Sequence, residues 1–196
     1  QTLLLRTNRL SGSIPPQLGN LASLQTLSLG VNRLSGSIPP ELGNLAHLRS
    51  LGLNQNNLVG SIPAALANLT EASSISLWWN GLHTSDAALR GFLVPRGSGE
   101  ETQTVAVREL SAGGATETTV DLTWTTIPYT KDAGGYRVYT ATTSGGPYTL
   151  FGTTDDKLTS SMTVTGLSPD RTYYFVIESV TDPHANNQNQ VVSERS

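Results

Sequence analysis

The sequence predicts a mainly β chain in two parts, a solenoid of short stacked strands followed by a β-sandwich. Three observations carry this. Leu27-Ser28-Leu29-Gly30-Val31-Asn32 has counterparts at Leu3–Asn8, Leu51–Asn56 and Ile75–Asn80, each 24 residues from the next. Leu34-Ser35-Gly36-Ser37-Ile38-Pro39-Pro40-Glu41-Leu42-Gly43-Asn44-Leu45 nearly repeats Leu10 through Leu21. From about Thr104 the apolar period becomes two, with turn signals between short runs. A fixed period of this length marks a solenoid, in which one coil cannot bury its own apolar face and depends on its neighbours.

Each element of the coil has a physical reason. The Leu-x-Leu alternation turns two side chains inward from a short strand, and stacking successive strands gives a parallel sheet. Asn8, Asn32, Asn56 and Asn80 follow the strands, where a side-chain amide can bond the backbone of each bend. Gly12, Gly36 and Gly60 permit a tight bend, and Pro15, Pro39 and Pro63 forbid a regular helix after it. Leu18, Leu21, Leu24 and their counterparts fill the other walls of the core. These residues resemble the plant-type leucine-rich repeat, LxxLxLxxNxLxGxIPxxLGxL, over roughly the first ninety positions. The resemblance implies a right-handed solenoid with a parallel sheet on one side and 3-10 or irregular turns on the convex side. Extracellular plant repeats usually carry Cys-paired caps; this chain has no cysteine, so a bacterial secreted or surface protein is the expected setting.

Where a further Gly-x-Ile-Pro is due, the chain reads Thr84-Ser85-Asp86-Ala87. Ser85 is the expected N-cap of a short helix through Ala87, Ala88, Leu89 and Phe92, closing the last coil. The solenoid with its cap is thus expected over 1–92. The N-terminus has no comparable cap and opens inside a repeat at Gln1, so further upstream repeats are expected. Residues 93–104 are expected to be a linker. They contain Leu93-Val94-Pro95-Arg96-Gly97-Ser98, which matches a thrombin site of the kind introduced with purification tags; an engineered insertion and an accidental match are both open.

Residues 105–196 hold about seven short strands, among them Val120–Trp124, Tyr136–Tyr139 and Tyr173–Ile177. Trp124, Tyr136, Val138 and the Leu167-Ser-Pro-Asp-Arg-Thr-Tyr173 corner resemble a fibronectin type III domain. Its first strand has Val107 where Pro is common, and its last, Val191–Glu194, is short.

Composition narrows the function. Net charge is −3, with +2 over residues 1–92 and −6 over 100–196, so no basic stripe suits nucleic acid. No apolar run is long enough to span a membrane. His47, His83 and His184 lack metal-ligand spacing, there is no GxSxG elbow, and Gly145-Gly146 reads as a hairpin turn rather than a phosphate loop. Asp155 and Asp156 are adjacent and in a strand would point to opposite faces, a poor acid–base pair. No catalysis and no cofactor or metal are expected.

The remaining candidate is the exposed sheet face, read as the columns Leu4/Ser28/Gly52/Ser76, Arg6/Gly30/Asn54/Trp78 and Thr7/Val31/Gln55/Trp79. The leucine-rich repeat resemblance implies ligand binding on this concave face, with Arg6, Val31, Asn54, Gln55, Trp78 and Trp79 as candidate contacts. The expected ligand is a protein or peptide, or else a cell-wall glycan, bound extracellularly. Trp78 and Trp79 have two open readings: aromatic anchors for a ligand, or packing against Phe92 or a neighbouring domain. The polar loop Asp182–Asn189 has no Arg-Gly-Asp signal and reads as structural or solvated. Asn68-Leu69-Thr70 follows from the repeat consensus rather than marking a glycan site. The expected function is a non-catalytic recognition module, and the alternative is an architectural spacer in a larger secreted or surface protein.

Overall fold

A computed structural model describes all 196 residues and divides them into two compact units. The first comprises Gln1–Thr104 with Pro183–Val191, and the second Val105–Asp182 with Val192–Ser196.

In the first unit, strands β1 (Thr2–Leu4), β3 (Thr26–Ser28), β5 (Ser50–Gly52) and β7 (Ser74–Ser76) form one parallel sheet. Its register follows the repeat, pairing Leu3 with Leu27, Leu27 with Leu51 and Leu51 with Ile75. A second parallel ribbon joins β2 (Ser11–Gly12), β4 (Arg33–Gly36), β6 (Asn57–Ser61) and β8 (Gly81–His83). On the remaining wall lie 3-10 turns at Pro16–Asn20, Pro40–Asn44 and Ala64–Asn68. Between these walls the leucines form a single core in which Leu27, Leu42, Leu45, Leu48, Leu51 and Leu53 are wholly buried.

Coil stacking explains a detail of the repeat. A Cβ on Gly19 would lie 2.2 Å from the Glu41 carbonyl oxygen, and one on Gly43 would lie 2.3 Å from that of Ala65. The equivalent third position is Ala67, where helix α1 (Ala87–Leu93) replaces the next 3-10 turn. Glycine is thus required where one turn crowds the next and is released where the stack of turns ends. Helix α1 is capped by Asp86, not by Ser85 as the sequence suggested: the Asp86 carboxylate accepts from the backbone N–H of Ala88 (2.8 Å) and Leu89 (3.1 Å). A carboxylate adds a favourable charge at the positive end of the helix, which a hydroxyl cannot.

Residues 93–104, expected as a linker, are instead folded into the first unit. Val94–Arg96 and Glu100–Thr102 are 3-10 turns, and the segment completes the edge of the main sheet. The Leu77 N–H donates to the Ser98 carbonyl, as Leu53 does to Ser76 one coil earlier. The unpaired edge of β7 is what draws the segment in, since a strand edge left open carries unsatisfied backbone groups.

In the second unit, sheet β13–β10–β9 combines Ser161–Val164, Val120–Thr125 and Arg108–Gly113. The other sheet orders β12 (Thr149–Thr153), β11 (Gly134–Ala141), β14 (Tyr174–Thr181) and β15 (Val191–Val192). Burial alternates strictly along Val120–Thr125, and its inward Leu122 and Trp124 join Tyr136, Val138, Val164 and Ile177 in the core. Trp124 and Tyr136 meet edge to face with centroids 5.3 Å apart. The Tyr173 hydroxyl accepts from the Ser168 N–H at 2.9 Å, closing the tyrosine corner. Seven antiparallel strands in two sheets make this unit a fibronectin-type sandwich.

Candidate functional site

The main sheet of the solenoid is the candidate site, and the Asn ladder holds it in shape. Asn56 is fully buried and donates from Nδ2 to the carbonyls of Leu29 (3.2 Å), Leu53 (3.0 Å) and Asn54 (3.3 Å). Its Oδ1 accepts from the Leu34 N–H at 3.0 Å. Asn32 and Asn80 repeat this pattern. Each amide therefore bonds its own coil and the one before it. The residue before each ladder Asn is left-handed: Thr7, Val31, Gln55 and Trp79 have φ of 58°, 57°, 59° and 53°. A β-branched or bulky residue is strained there, and the ladder's bonds hold the bend.

A fifth rung is present that the sequence reading missed. The Gln103 Oε1 accepts from the Leu82 N–H (3.0 Å), and its Nε2 donates to the Leu77 (2.9 Å) and Gly99 (3.2 Å) carbonyls. This is the Asn pattern made by a side chain one methylene longer, placed one residue early. The signal was weak but present: position 104 falls 24 residues after Asn80, beside an amide.

The six candidate contact residues divide. Arg6 is exposed, and Val31 and Gln55 are half-buried at the rim. Asn54, expected to face outward, is only 6% exposed, lying against the flat backbone of Gly30. Trp78 donates its indole N–H to the Gly97 carbonyl, and its ring fills the space a Cβ on Gly99 would need. Trp79 receives the Thr102 hydroxyl oxygen at its backbone N–H (3.1 Å) and meets Trp78 edge to face at 5.6 Å. The Trp78 indole thus packs on residues 97–99 with Trp79 against its edge, while Trp78 keeps 38% of its surface open beside the sheet.

The segment Pro183–Val191 lies along the bends of the same unit. Asn187, 2% exposed, donates to the carbonyls of Trp79 (2.9 Å) and Asn56 (3.3 Å), and Asn189 donates to that of Asn32 (2.7 Å). Asn57 in turn donates to the Gln190 carbonyl at 2.8 Å, and the His184 ring stands 6.4 Å from Trp79. Nothing in its local pattern singles these asparagines out, because their partners are backbone oxygens of a distant coil.

The outer positions of the sheet are Thr2 and the exposed Leu4 on β1, then Thr26, Ser28, Ser50, Gly52, Ser74 and Ser76, none fully buried. Small hydroxyl residues here let a ligand's backbone come close and offer it donors and acceptors.

No three His, Asp or Glu side chains gather to hold a metal ion. His47 pairs with Glu71 at 3.1 Å on the surface. In the second unit Lys157 is 2% exposed, donates to the Thr181 hydroxyl at 3.0 Å and lies 4.7 Å from the Tyr129 ring centroid. Burial pulls its ammonium down from 10.5 to about 8, against the opposing pull of Asp132 and Asp182. Such a lysine is a structural plug, closed to any substrate. The unfolded chain binds the proton more tightly, so the sandwich gains stability as pH rises from 8 toward 10, on the order of 2 kcal/mol. The gain reverses above pH 10, where buried Tyr136 and half-buried Tyr139, both raised chiefly by desolvation, stay neutral while their unfolded counterparts ionise. Calorimetry of the second unit from pH 7 to 10 checks this, and Lys157→Met is expected to flatten the profile.

The geometry so far defines a leucine-rich solenoid with an asparagine ladder and a fibronectin-type sandwich. Residues 105–194 match the fibronectin type III domain, residues 22–68 match two copies of leucine rich repeats, and residues 1–21 match a further leucine rich repeat. The chain therefore carries leucine-rich repeats followed by a fibronectin type III domain. No curated protein matches it. Among solved structures it is similar to the BIR3–SERK2 complex from Arabidopsis thaliana, at 39% identity over 59% of this chain and 61% of that one, with a TM-score of 0.48. It is also similar to the plant peptide hormone receptor RGFR1 in complex with RGF2 (35% identity, 52% of this chain, 17% of that one, TM-score 0.47). A Fn3-like protein from Clostridium thermocellum matches at 29% identity over 46% of this chain and 85% of that one, with a TM-score of 0.35. The chain spans 44% of the BIR2 ectodomain from Arabidopsis thaliana and 12% of the GASSHO1/SCHENGEN3 ectodomain that it also resembles. No helix is long and apolar enough to cross a membrane.

Proposed function

We propose that the leucine-rich repeats form a non-catalytic, extracellular recognition module that binds an extended peptide or protein segment across the sheet β1–β3–β5–β7. One observation carries this reading: across β3, β5 and β7 the outer face is a run of small hydroxyl and glycine positions, none fully buried, flanked by the exposed Leu4 on β1 and the partly open indole of Trp78. An extended chain can lie close over such a face, bond its hydroxyls, and place one apolar side chain against the indole. Arg6, Val31 and Gln55 are rim contacts in this reading, while Asn54 and Trp79 shape the surface from beneath and beside it.

The test is selection from a displayed peptide library on the full chain, repeated with Ser28→Tyr. Ser28 is central to the sheet, so a phenol there should weaken selected peptides at least about tenfold, equivalent to ~1.4 kcal/mol, with the fold unchanged by circular dichroism. Peptides that bind the variant as well as the wild type, or a selection that enriches none, would return the module to the role of spacer.

A further inference from the structure

The arginines of the first unit are not treated alike. Arg49 faces Glu71 at 3.9 Å, Arg90 is ion-paired with Glu100, and Arg96 donates to the carbonyls of Ala72 (2.8 Å) and Phe92 (2.7 Å). Arg9 and Arg33 make no side-chain hydrogen bond or ion pair and are both exposed. Arg9 and Arg33 follow Asn8 and Asn32 at the same place in successive 24-residue repeats, although the strand register sets Arg33 opposite Ser11. Two like charges bordering one space without an acid between them are a local electrostatic cost that an anion would relieve.

These two side chains border a cavity of about 230 Å³ within the first unit. Its lining includes Val31, Asn32 and Gln55, with Ala185–Asn189 as the opposite wall, and contains no carboxylate. Asn187 and Asn189 have their side chains committed to backbone carbonyls, so they act as wall rather than as ligand groups. The Gln55 amide makes no hydrogen bond of its own and is a third donor toward the space. At about 30 Å³ per water, the cavity displaces several waters and accommodates one acidic side chain.

We infer that the Arg9–Arg33 cavity is a carboxylate-binding subsite that takes an Asp or Glu side chain of an acidic peptide. Guanidinium forks bind carboxylates in a bidentate manner, which two arginines bordering one cavity can offer together. An extended polyanion is the wrong partner, because the first unit sets six arginines against five acids and has no broad basic field. For its biological partner the inference rests on the peptide-binding reading above; the cavity's charge preference stands by itself.

The experiment titrates the full chain with octaglutamate and with octaglutamine, followed by calorimetry, for the wild type, R9Q/R33Q and R49Q/R90Q. Octaglutamate should bind and octaglutamine should not. R9Q/R33Q should weaken octaglutamate at least about tenfold, R49Q/R90Q should change it little, and binding should weaken steeply between 0.05 and 0.5 M salt as screening shortens to a few ångströms. Equal effects of the two double variants would reduce the result to net charge and overturn the subsite, as would indifference to Arg9 and Arg33. Library peptides blocked by Ser28→Tyr but blind to R9Q/R33Q would sink the subsite alone. Arg-dependent octaglutamate binding with no selected peptides would sink the recognition reading alone.

Discussion

Thrombin is expected to leave the native chain intact although Leu93–Ser98 spells a sequence that this protease cuts. A protease binds its substrate extended, with the arginine inserted in a specificity pocket. Here Leu93 ends helix α1 and is 2% exposed, and Val94–Arg96 continue as a 3-10 turn. The Arg96 guanidinium is held by two carbonyls, at 2.8 Å and 2.7 Å, and lies 3.7 Å from the Phe92 ring centroid. Ser98, on the far side of the scissile bond, is buried and anchors the edge of β7. Cleavage therefore requires the cap to open, which strips Leu89 and Leu93 from the core. An opening cost of roughly 4 kcal/mol slows cutting about a thousandfold relative to a free LVPRGS peptide, because the rate then follows the open population. A gel time course in native buffer and after urea unfolding reads this directly. Native cutting at the free-peptide rate would mean that residues 93–98 are a tether after all.

Asn56→Ala is expected to cost the solenoid about 3–5 kcal/mol. The amide is wholly buried and makes four hydrogen bonds to two coils. Alanine orphans the buried Leu34 N–H, at a cost on the order of 1–3 kcal/mol. It also removes three further bonds of about 0.5–1.5 kcal/mol each from the Leu29, Leu53 and Asn54 carbonyls, of which the first two keep the Asn32 and Asn80 amides as partners. Neighbouring coils share one core, so the loss spreads along the stack. Asn8→Ala is the internal control: Asn8 is exposed and bonds only the Leu5 (3.1 Å) and Arg6 (3.2 Å) carbonyls of its own coil, so its loss should stay below about 1 kcal/mol. Calorimetry resolves this if the two units melt separately, since a single two-state fit is not warranted for two compact bodies. Equal losses at positions 8 and 56 would show that the ladder is ornamental.

Both expectations turn on how the repeat ends, which is where reading the chain and seeing it folded diverge. The periodic residues announce themselves, because Leu-x-Leu and the trailing Asn do the same job in every coil. Gln103 does not: it performs the Asn role from a shifted position, and only the open edge of β7 selects it. For the same reason the fate of Trp78 and Trp79 was open until residues 97–102 were placed against them. Asn54 was misread as exposed because alternation assigns a direction and not a depth; the approach of Gly30 decides its burial. The cavity beside Arg9 and Arg33 needs Pro183–Val191, more than 150 residues away along the chain, to form its far wall.

Local chemistry by itself determined the 24-residue coil, its inward leucines and asparagine rungs, and the alternating strands and tyrosine corner of the sandwich. These depend on contacts that recur at fixed spacing, so each copy repeats the message. Tertiary structure alone decided the closing rung, the locking of Arg96, the seating of Asn187 on the Asn56 and Trp79 carbonyls, and the pairless arginines. Those contacts occur once, between segments whose meeting is set by unsatisfied backbone groups at the edge of a stack, and a single occurrence leaves no period to read.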